Sequence, residues 1–109
     1  MSKVPGIDAT HLGKICAIFK NYPNVREAIL FGSRAKGTQR DGSDIDIALK
    51  GDGITHNDLT RIEMDYDRLY LPWKLDLVIY DTIDNQALRE HVDRVGMEVF
   101  PSPIKKHRS

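Results

Sequence analysis

The sequence predicts a small α/β domain in which a mixed β-sheet carries helices packed mainly on one side. Short apolar runs of strand length alternate along the chain with segments whose apolar residues recur at helical spacing. The 109 residues are 40% hydrophobic and 29% charged, as in ordinary globular domains. We expect one domain over residues 1–100, followed by a flexible basic tail over residues 101–109.

The first half of the chain predicts a helix, a strand, a helical turn and a second strand. Asp8 or Thr10 can cap a helix whose apolar residues face the core. The apolar run over residues 25–31 predicts the first strand, which leads directly into a helical turn over residues 33–36. A second strand is expected over residues 43–49, where alternate side chains share a face.

The second half predicts two helices, each followed by a strand. Thr55 with Asp58 three residues later resembles a capping box, so a helix should begin there. Alternation of polar and apolar residues over 74–80 predicts a third strand. Asp84 is the expected cap of the last helix, and residues 97–100 can form a short final strand.

Composition excludes several classes of function. The 16 basic and 16 acidic residues give a formal net charge of zero, which argues against a general nucleic-acid binder and favours hetero- or homo-oligomers. No apolar run approaches the ~20 residues needed to cross a bilayer, and the N-terminus lacks the apolar segment of a signal peptide. We therefore expect no membrane association. Cys16 is the only cysteine, so we expect a cytoplasmic protein without disulfides.

Two aspartates stand out because they interrupt an apolar run. Asp44 and Asp46 would project from one face of a strand, where two negative charges repel each other. A divalent cation between them would relieve that repulsion, since paired carboxylates commonly hold Mg²⁺ beside substrate phosphates. Asp76 is a third acidic residue within an apolar strand, and carboxylates on neighbouring strands can share metal ions.

A phosphate site is predicted where the first strand ends. Gly32 allows the backbone to approach a triphosphate closely, and the Ser33 hydroxyl and the following amides can donate hydrogen bonds to phosphate oxygens. Arg34, Lys36 and Arg40 bracket this point and are candidate phosphate partners, with exposed solvated charges as the alternative for each. The chain has no P-loop sequence, which excludes that class of kinase or ATPase.

Gly32-Ser33, ten intervening residues and Asp44-x-Asp46 together resemble the signature of the DNA polymerase β-like nucleotidyltransferase superfamily. Within it, the chain most resembles the minimal nucleotidyltransferases that act as MntA-like antitoxins. The resemblance implies transfer of AMP from ATP to a hydroxyl, most often a tyrosine of a HEPN-domain toxin. It also implies two Mg²⁺ ions, or Mn²⁺ in their place, held by Asp44 and Asp46, with Asp76 at the ion that activates the acceptor.

Two other functions remain open at this point. The chain could neutralise its partner by binding alone, or it could modify a small molecule, as the aminoglycoside nucleotidyltransferases do. The four histidines show no metal-ligand spacing, so we expect them to face solvent or to cover the edge of the core.

Overall fold

The computed structural model describes residues 7–40 and 42–101. Its helices are α1 (Ala9–Phe19), α2 (Ser33–Lys36), α3 (His56–Asp67) and α4 (Gln86–Val95). Its strands are β1 (Val25–Phe31), β2 (Ile45–Gly51), β3 (Leu75–Ile79) and β4 (Met97–Phe100). A 3-10 turn over Tyr80–Thr82 follows β3.

Within the described residues, four strands form one mixed sheet in the order β3-β2-β1-β4. β1 runs antiparallel to β2 and to β4, whereas β2 and β3 run parallel. The parallel pair requires a crossover connection, which α3 supplies. This architecture confirms the α/β class and the mixed sheet that the sequence predicts.

Two of the longer helices cover one face of the sheet. Ile15 and Phe19 of α1 and Ile62 of α3 pack in one cluster with Leu30 and Ile47 of the sheet. Each of these five side chains is almost fully buried, so this layer is the main hydrophobic core. The predicted packing of helices mainly on one side is therefore confirmed.

The opposite face is covered only in part, by α4. Val92 of α4 packs against Ile29, Phe31 and Ala48 in a second, smaller cluster. Because directly paired residues of neighbouring strands share a face, Asp46, which pairs with Phe31, also lies on this side. The face that carries α4 is thus the face that carries the predicted acidic site.

The helix starts follow the predicted caps in two cases and differ in one. Asp8 accepts a hydrogen bond from the backbone N–H of His11 at 2.8 Å, and the capping box of Thr55 and Asp58 is formed. The predicted cap at Asp84 is wrong: the side chain of Asn85 accepts from the N–H of Leu88 at 3.0 Å. Asn and Asp cap equally well, so local preference alone does not choose between the neighbours.

The second strand begins two residues later than the sequence predicts. The Ser43 hydroxyl accepts from the N–H of Arg40 at 2.7 Å, and the Ser43 N–H donates to the Arg40 carbonyl at 2.9 Å. These bonds close a turn, so β2 starts at Ile45 and Asp44 precedes it. Because this turn uses the Ser43 side chain, strand alternation does not extend to Asp44.

The predicted basic tail lies almost entirely outside the described residues, which end at Pro101. Among the helices that are described, none is both long enough and apolar enough to span a membrane.

Candidate active site

The site is built where β1 ends and where β2 and β3 begin. Asp46 pairs with Asp76 at the same register of the parallel strands, and with Phe31 on the antiparallel side. Neighbouring strands are about 4.8 Å apart, so Asp46 and Asp76 project side by side from one face. The sheet therefore brings together two of the three predicted carboxylates and places them beside the end of β1.

The surroundings of Asp46 raise the pKa of its carboxyl group. Burial of the half-buried carboxylate, together with the negative charges of Asp76 and Asp44, raises the pKa of Asp46 to about 6, although Arg34 opposes the shift. Asp44 and Asp76 are exposed to solvent. Asp46 is thus the carboxylate whose charge most needs a positive neighbour.

A metal ion suits this donor set. Mg²⁺ is held in proteins by one or two carboxylates together with substrate phosphates, and Asp46 and Asp76 present carboxylate oxygens on one face. Over residues 7–40 and 42–101, no three His, Cys, Asp or Glu side chains gather closely enough to form a metal-binding group by themselves. The structure therefore offers a carboxylate pair with Asp44 close by, rather than a closed three-residue cage.

Gly32 follows β1 and lies against the Asp46 carboxylate. Its φ of +77° is in the left-handed region that side chains disfavour, and a Cβ at this position would collide with Oδ2 of Asp46. Only glycine can bring the chain this close to the acidic pair. The sequence predicts glycine here for close approach to a triphosphate, and the structure adds a second reason, the Asp46 carboxylate in the space of a side chain.

Ser33 begins the short helix α2, and its side chain is half-buried. The Ser33 carbonyl accepts from the N–H of Thr38 at 2.9 Å, and the Gly32 carbonyl accepts from the N–H of Lys36 at 3.1 Å. These bonds fix the backbone of the segment that we name the Gly-Ser turn, residues 32–36.

The three predicted basic residues separate into two groups. The Arg34 guanidinium is buried, donates two hydrogen bonds to the Ser43 carbonyl at 3.3 and 2.8 Å, and lies 5.5 Å from the centre of the Trp73 ring. Lys36 and Arg40 are exposed. Arg34 therefore joins the Gly-Ser turn to the segment before β2, while the other two cations face solvent.

His91 contributes to the site, although the histidines show no metal-ligand spacing and are expected from the sequence to face solvent or to cover the edge of the core. The backbone N–H of Gly32 donates a hydrogen bond to Nε2 of His91 at 3.0 Å, and the imidazole meets Phe31 edge to face at 6.1 Å. Burial and the positive charges of Lys36 and Arg94 lower the pKa of His91. The sequence feature that could have predicted this contact is the position of His91, three residues after Leu88 and next to Val92, on the packed side of α4.

A cavity of about 450 Å³ lies between α3 and the beginning of β3, and of the two paired carboxylates only Asp76 lines it. Asp76 and Trp73 line it together with Glu63, Asp67 and Lys74. Trp73 lies between this cavity and Arg34. The cavity therefore adjoins the site only at Asp76, and it lies on the α3 side of the sheet rather than on the face that carries Asp46.

Comparisons with known proteins identify one matching family and several solved structures with a similar fold. The family model for the polymerase beta nucleotidyltransferase domain matches residues 13–103. No curated protein matches the chain significantly. Among solved structures, a minimal nucleotidyltransferase shares 26% identity with a TM-score of 0.63, over 84% of this chain and 96% of that one.

Two complexes of known composition share the fold. A toxin–antitoxin complex with AMP-PNP contains a chain 24% identical to this one, with a TM-score of 0.68 over 82% of this chain and 72% of that chain. A complex of the tri-AMPylated HEPN toxin of Shewanella oneidensis with its MNT antitoxin contains a chain 20% identical, with a TM-score of 0.63 over 84% and 70% of the two chains. MntA–HepT toxin–antitoxin complexes are also among the similar structures.

Proposed function

The chain belongs to the polymerase beta nucleotidyltransferase family, and we propose that it transfers AMP from ATP to a hydroxyl group of a partner protein. The observation that carries this proposal is the pairing of Asp46 with Asp76 directly beside Gly32. It places a carboxylate pair next to a glycine, whose lack of a side chain lets a phosphate come close to the backbone. Nucleotidyl transfer needs both features, one for charge and one for phosphate.

We propose that Asp46 and Asp76, assisted by Asp44, hold Mg²⁺, with Mn²⁺ as a substitute. The bound ion supplies the positive charge that neutralises the phosphates of ATP during an in-line displacement. The Ser33 hydroxyl donates a hydrogen bond to a phosphate oxygen. Lys36 and Arg40, both exposed, pair with the triphosphate as it binds.

The reaction follows from these positions. The acceptor oxygen forms a bond to the α-phosphorus while the bond from that phosphorus to the bridging oxygen of the leaving pyrophosphate breaks. Asp76, exposed and at the rim of the open cavity, is placed to accept the proton of the acceptor hydroxyl on a carboxylate oxygen.

We propose a HEPN-domain toxin as the partner and one of its tyrosines as the acceptor. Structures that share the fold include toxin–antitoxin complexes, and one of these contains an AMPylated HEPN toxin. Attachment of AMP to such a toxin would silence it, so the chain would act as an antitoxin.

Intact-mass spectrometry tests this function directly. The product of the neighbouring gene, tested as the proposed HEPN-domain partner, is incubated with this chain, ATP and Mg²⁺, and its mass is recorded. One or more added AMP masses support the enzyme. An unchanged mass within a stable complex contradicts catalysis and favours neutralisation by binding, and the Asp44→Asn/Asp46→Asn variant shows whether complex formation needs the acidic site.

A further inference from the structure

We propose that His91 is a positioning residue, which holds the Gly-Ser turn in the shape that receives the nucleotide. This inference rests on the proposed function for the role of the turn, and on the structure for the contact. Nε2 of His91 accepts the hydrogen bond of the Gly32 N–H at 3.0 Å. His91 therefore acts through Gly32, and its ring is not assigned a contact with ATP.

The bond specifies the chemical form of the imidazole. A ring that accepts through Nε2 must be neutral and must carry its proton on Nδ1. Burial and the cations Lys36 and Arg94 all disfavour the charged form and lower the pKa of His91. The surroundings thus keep His91 in the one form that can hold Gly32.

Gly32 is held from two sides. On one side the Asp46 carboxylate occupies the space that a side chain would need, and on the other His91 binds the backbone N–H. The peptide group between Phe31 and Gly32 is thereby fixed in orientation. Because Ser33 follows directly, the direction of its hydroxyl and N–H depends on the same two contacts.

The part of α4 that carries His91 packs closely against the sheet. The neighbouring residue Val92 is buried, and Gly96 at the end of α4 lies so close to the sheet that a Cβ there would collide with Ile29. The edge-to-face contact with Phe31 adds a second point of attachment for the ring. A helix seated this closely on β1 can position the turn with little free movement.

Nuclear magnetic resonance of the protein alone tests the contact without reference to activity. In a ¹⁵N-labelled sample at neutral pH, the Nε2 nitrogen of His91 should show the chemical shift of an unprotonated acceptor. A scalar coupling across the hydrogen bond should connect it to the amide nitrogen of Gly32. Protonation at Nε2, or absence of the coupling in a sample whose Gly32 amide is resolved, would overturn the inference.

Two substitutions then test the consequence for nucleotide binding. His91→Phe keeps a ring against Phe31 but removes the acceptor, and should weaken Mg²⁺–ATP binding about tenfold, the equivalent of one lost hydrogen bond. His91→Gln places an amide oxygen near the position of Nε2 and should restore most of that affinity. His56→Phe, at an exposed position that begins α3, is the matched control and should bind as the wild type does.

The titration is followed by chemical shifts, which remain measurable for weak binding, and thermal unfolding verifies that each variant is folded. Equal affinity of the wild type and of folded His91→Phe would overturn the positioning role while leaving the proposed function intact. Equal losses of ATP affinity in His91→Phe and His91→Gln would also overturn it, because both losses would then result from altered packing and not from the missing acceptor. A wild-type protein that binds ATP but adds no AMP to its partner would contradict the proposed function alone.

Discussion

Asp46 and Asp76 are direct partners on neighbouring parallel strands, and both project from the face of the sheet that α4 covers only in part. The pair is costly to the fold because like charges on one face repel, and burial of Asp46 adds to that cost. A charged pair that weakens the fold and remains accessible to solvent is typical of a functional site. Four predictions follow from this pair and its neighbours.

Replacement of the acidic residues should remove catalysis without loss of the fold. Asp46→Asn and Asp76→Asn should each lower the rate of AMP transfer by at least about 100-fold, since each removes charged oxygen that would hold Mg²⁺. Asp44→Asn should have a smaller effect, because Asp44 precedes β2 and is not paired across the sheet as Asp46 and Asp76 are.

Asp52→Asn is the control for the acidic residues, since Asp52 is an exposed carboxylate with only a surface ion pair to Arg26 at 3.8 Å. Intact mass of the acceptor over time measures each rate. Wild-type rates in both Asp46→Asn and Asp76→Asn would show that the pair has no catalytic role.

Stability without metal should depend on pH through Asp46. The pKa of Asp46 in the folded protein, about 6, lies above the ordinary carboxyl value of 3.8, so the native state binds the proton more tightly than the unfolded chain does. This contribution favours the fold in acid and is lost as pH rises through about 6. In a chelating buffer at pH 7.5, Asp46→Asn should therefore be more stable than the wild type by roughly 1 kcal/mol, a value reduced for the half-exposed carboxylate.

The measurement compares urea unfolding of the two proteins at pH 5 and pH 7.5. The relevant quantity is the difference in unfolding free energy between the two proteins at each pH. The lowered pKa of His91 acts in the opposite sense, but it destabilises both proteins in acid and so cancels in that difference. A stability difference that does not grow with pH would contradict the crowding of Asp46.

Gly32 and Gly37 differ both in backbone conformation and in the collision with Asp46. Their φ values of 77° and 79° are alike, but Gly37 has the left-handed ψ of 16°, whereas Gly32 has a ψ of −157°, in a region that is essentially restricted to glycine. A Cβ at Gly37 would meet nothing within 4 Å, so Gly37→Ala should cost only a conformational penalty of roughly 1–2 kcal/mol. Gly32→Ala should cost roughly 1–3 kcal/mol more, because its backbone conformation is less favourable for alanine and because the added methyl group displaces the Asp46 carboxylate.

Chemical denaturation of both glycine variants, and of Gly32→Ala combined with Asp46→Ala, measures these costs. The double variant should recover the part of the penalty that is due to the collision, since the smaller side chain leaves room for the methyl group, and the conformational part should remain. Equal destabilisation by Gly32→Ala and Gly37→Ala would mean that the carboxylate does not fill the space beside Gly32.

Arg34 and Lys36 should differ in what their loss affects. Arg34→Met removes a buried guanidinium and leaves the Ser43 carbonyl without its donors, so it should destabilise the fold by about 1–3 kcal/mol. Lys36→Met alters an exposed position and should change stability by less than about 0.5 kcal/mol. It should instead raise the KM for ATP, since Lys36 is the proposed phosphate partner.

Thermal unfolding and ATP-dependent kinetics of these two variants distinguish the roles. An Arg34→Met protein as stable as the wild type but deficient in ATP binding would return Arg34 to the phosphate site that the sequence predicts for it.

The sequence by itself determined the class of fold, the bounds of β1 and α2, and the motif of Gly32, Ser33 and the aspartates. These features are local. A continuous apolar run ends at glycine, a capping box begins α3, and the spacing of the motif can be read along the chain. Local preference was insufficient where neighbours are nearly equivalent, as at Asp84 and Asn85.

Only the tertiary structure decided which residues surround the motif. The order of the strands sets Asp46 beside Asp76, and the packing of α4 brings His91 to Gly32 across 59 residues of sequence. Likewise, the direction of Arg34 toward Trp73 and Ser43 depends on the loops that close around it. Such contacts join segments distant in sequence, and no periodicity or propensity within one segment encodes the partner that another segment will supply.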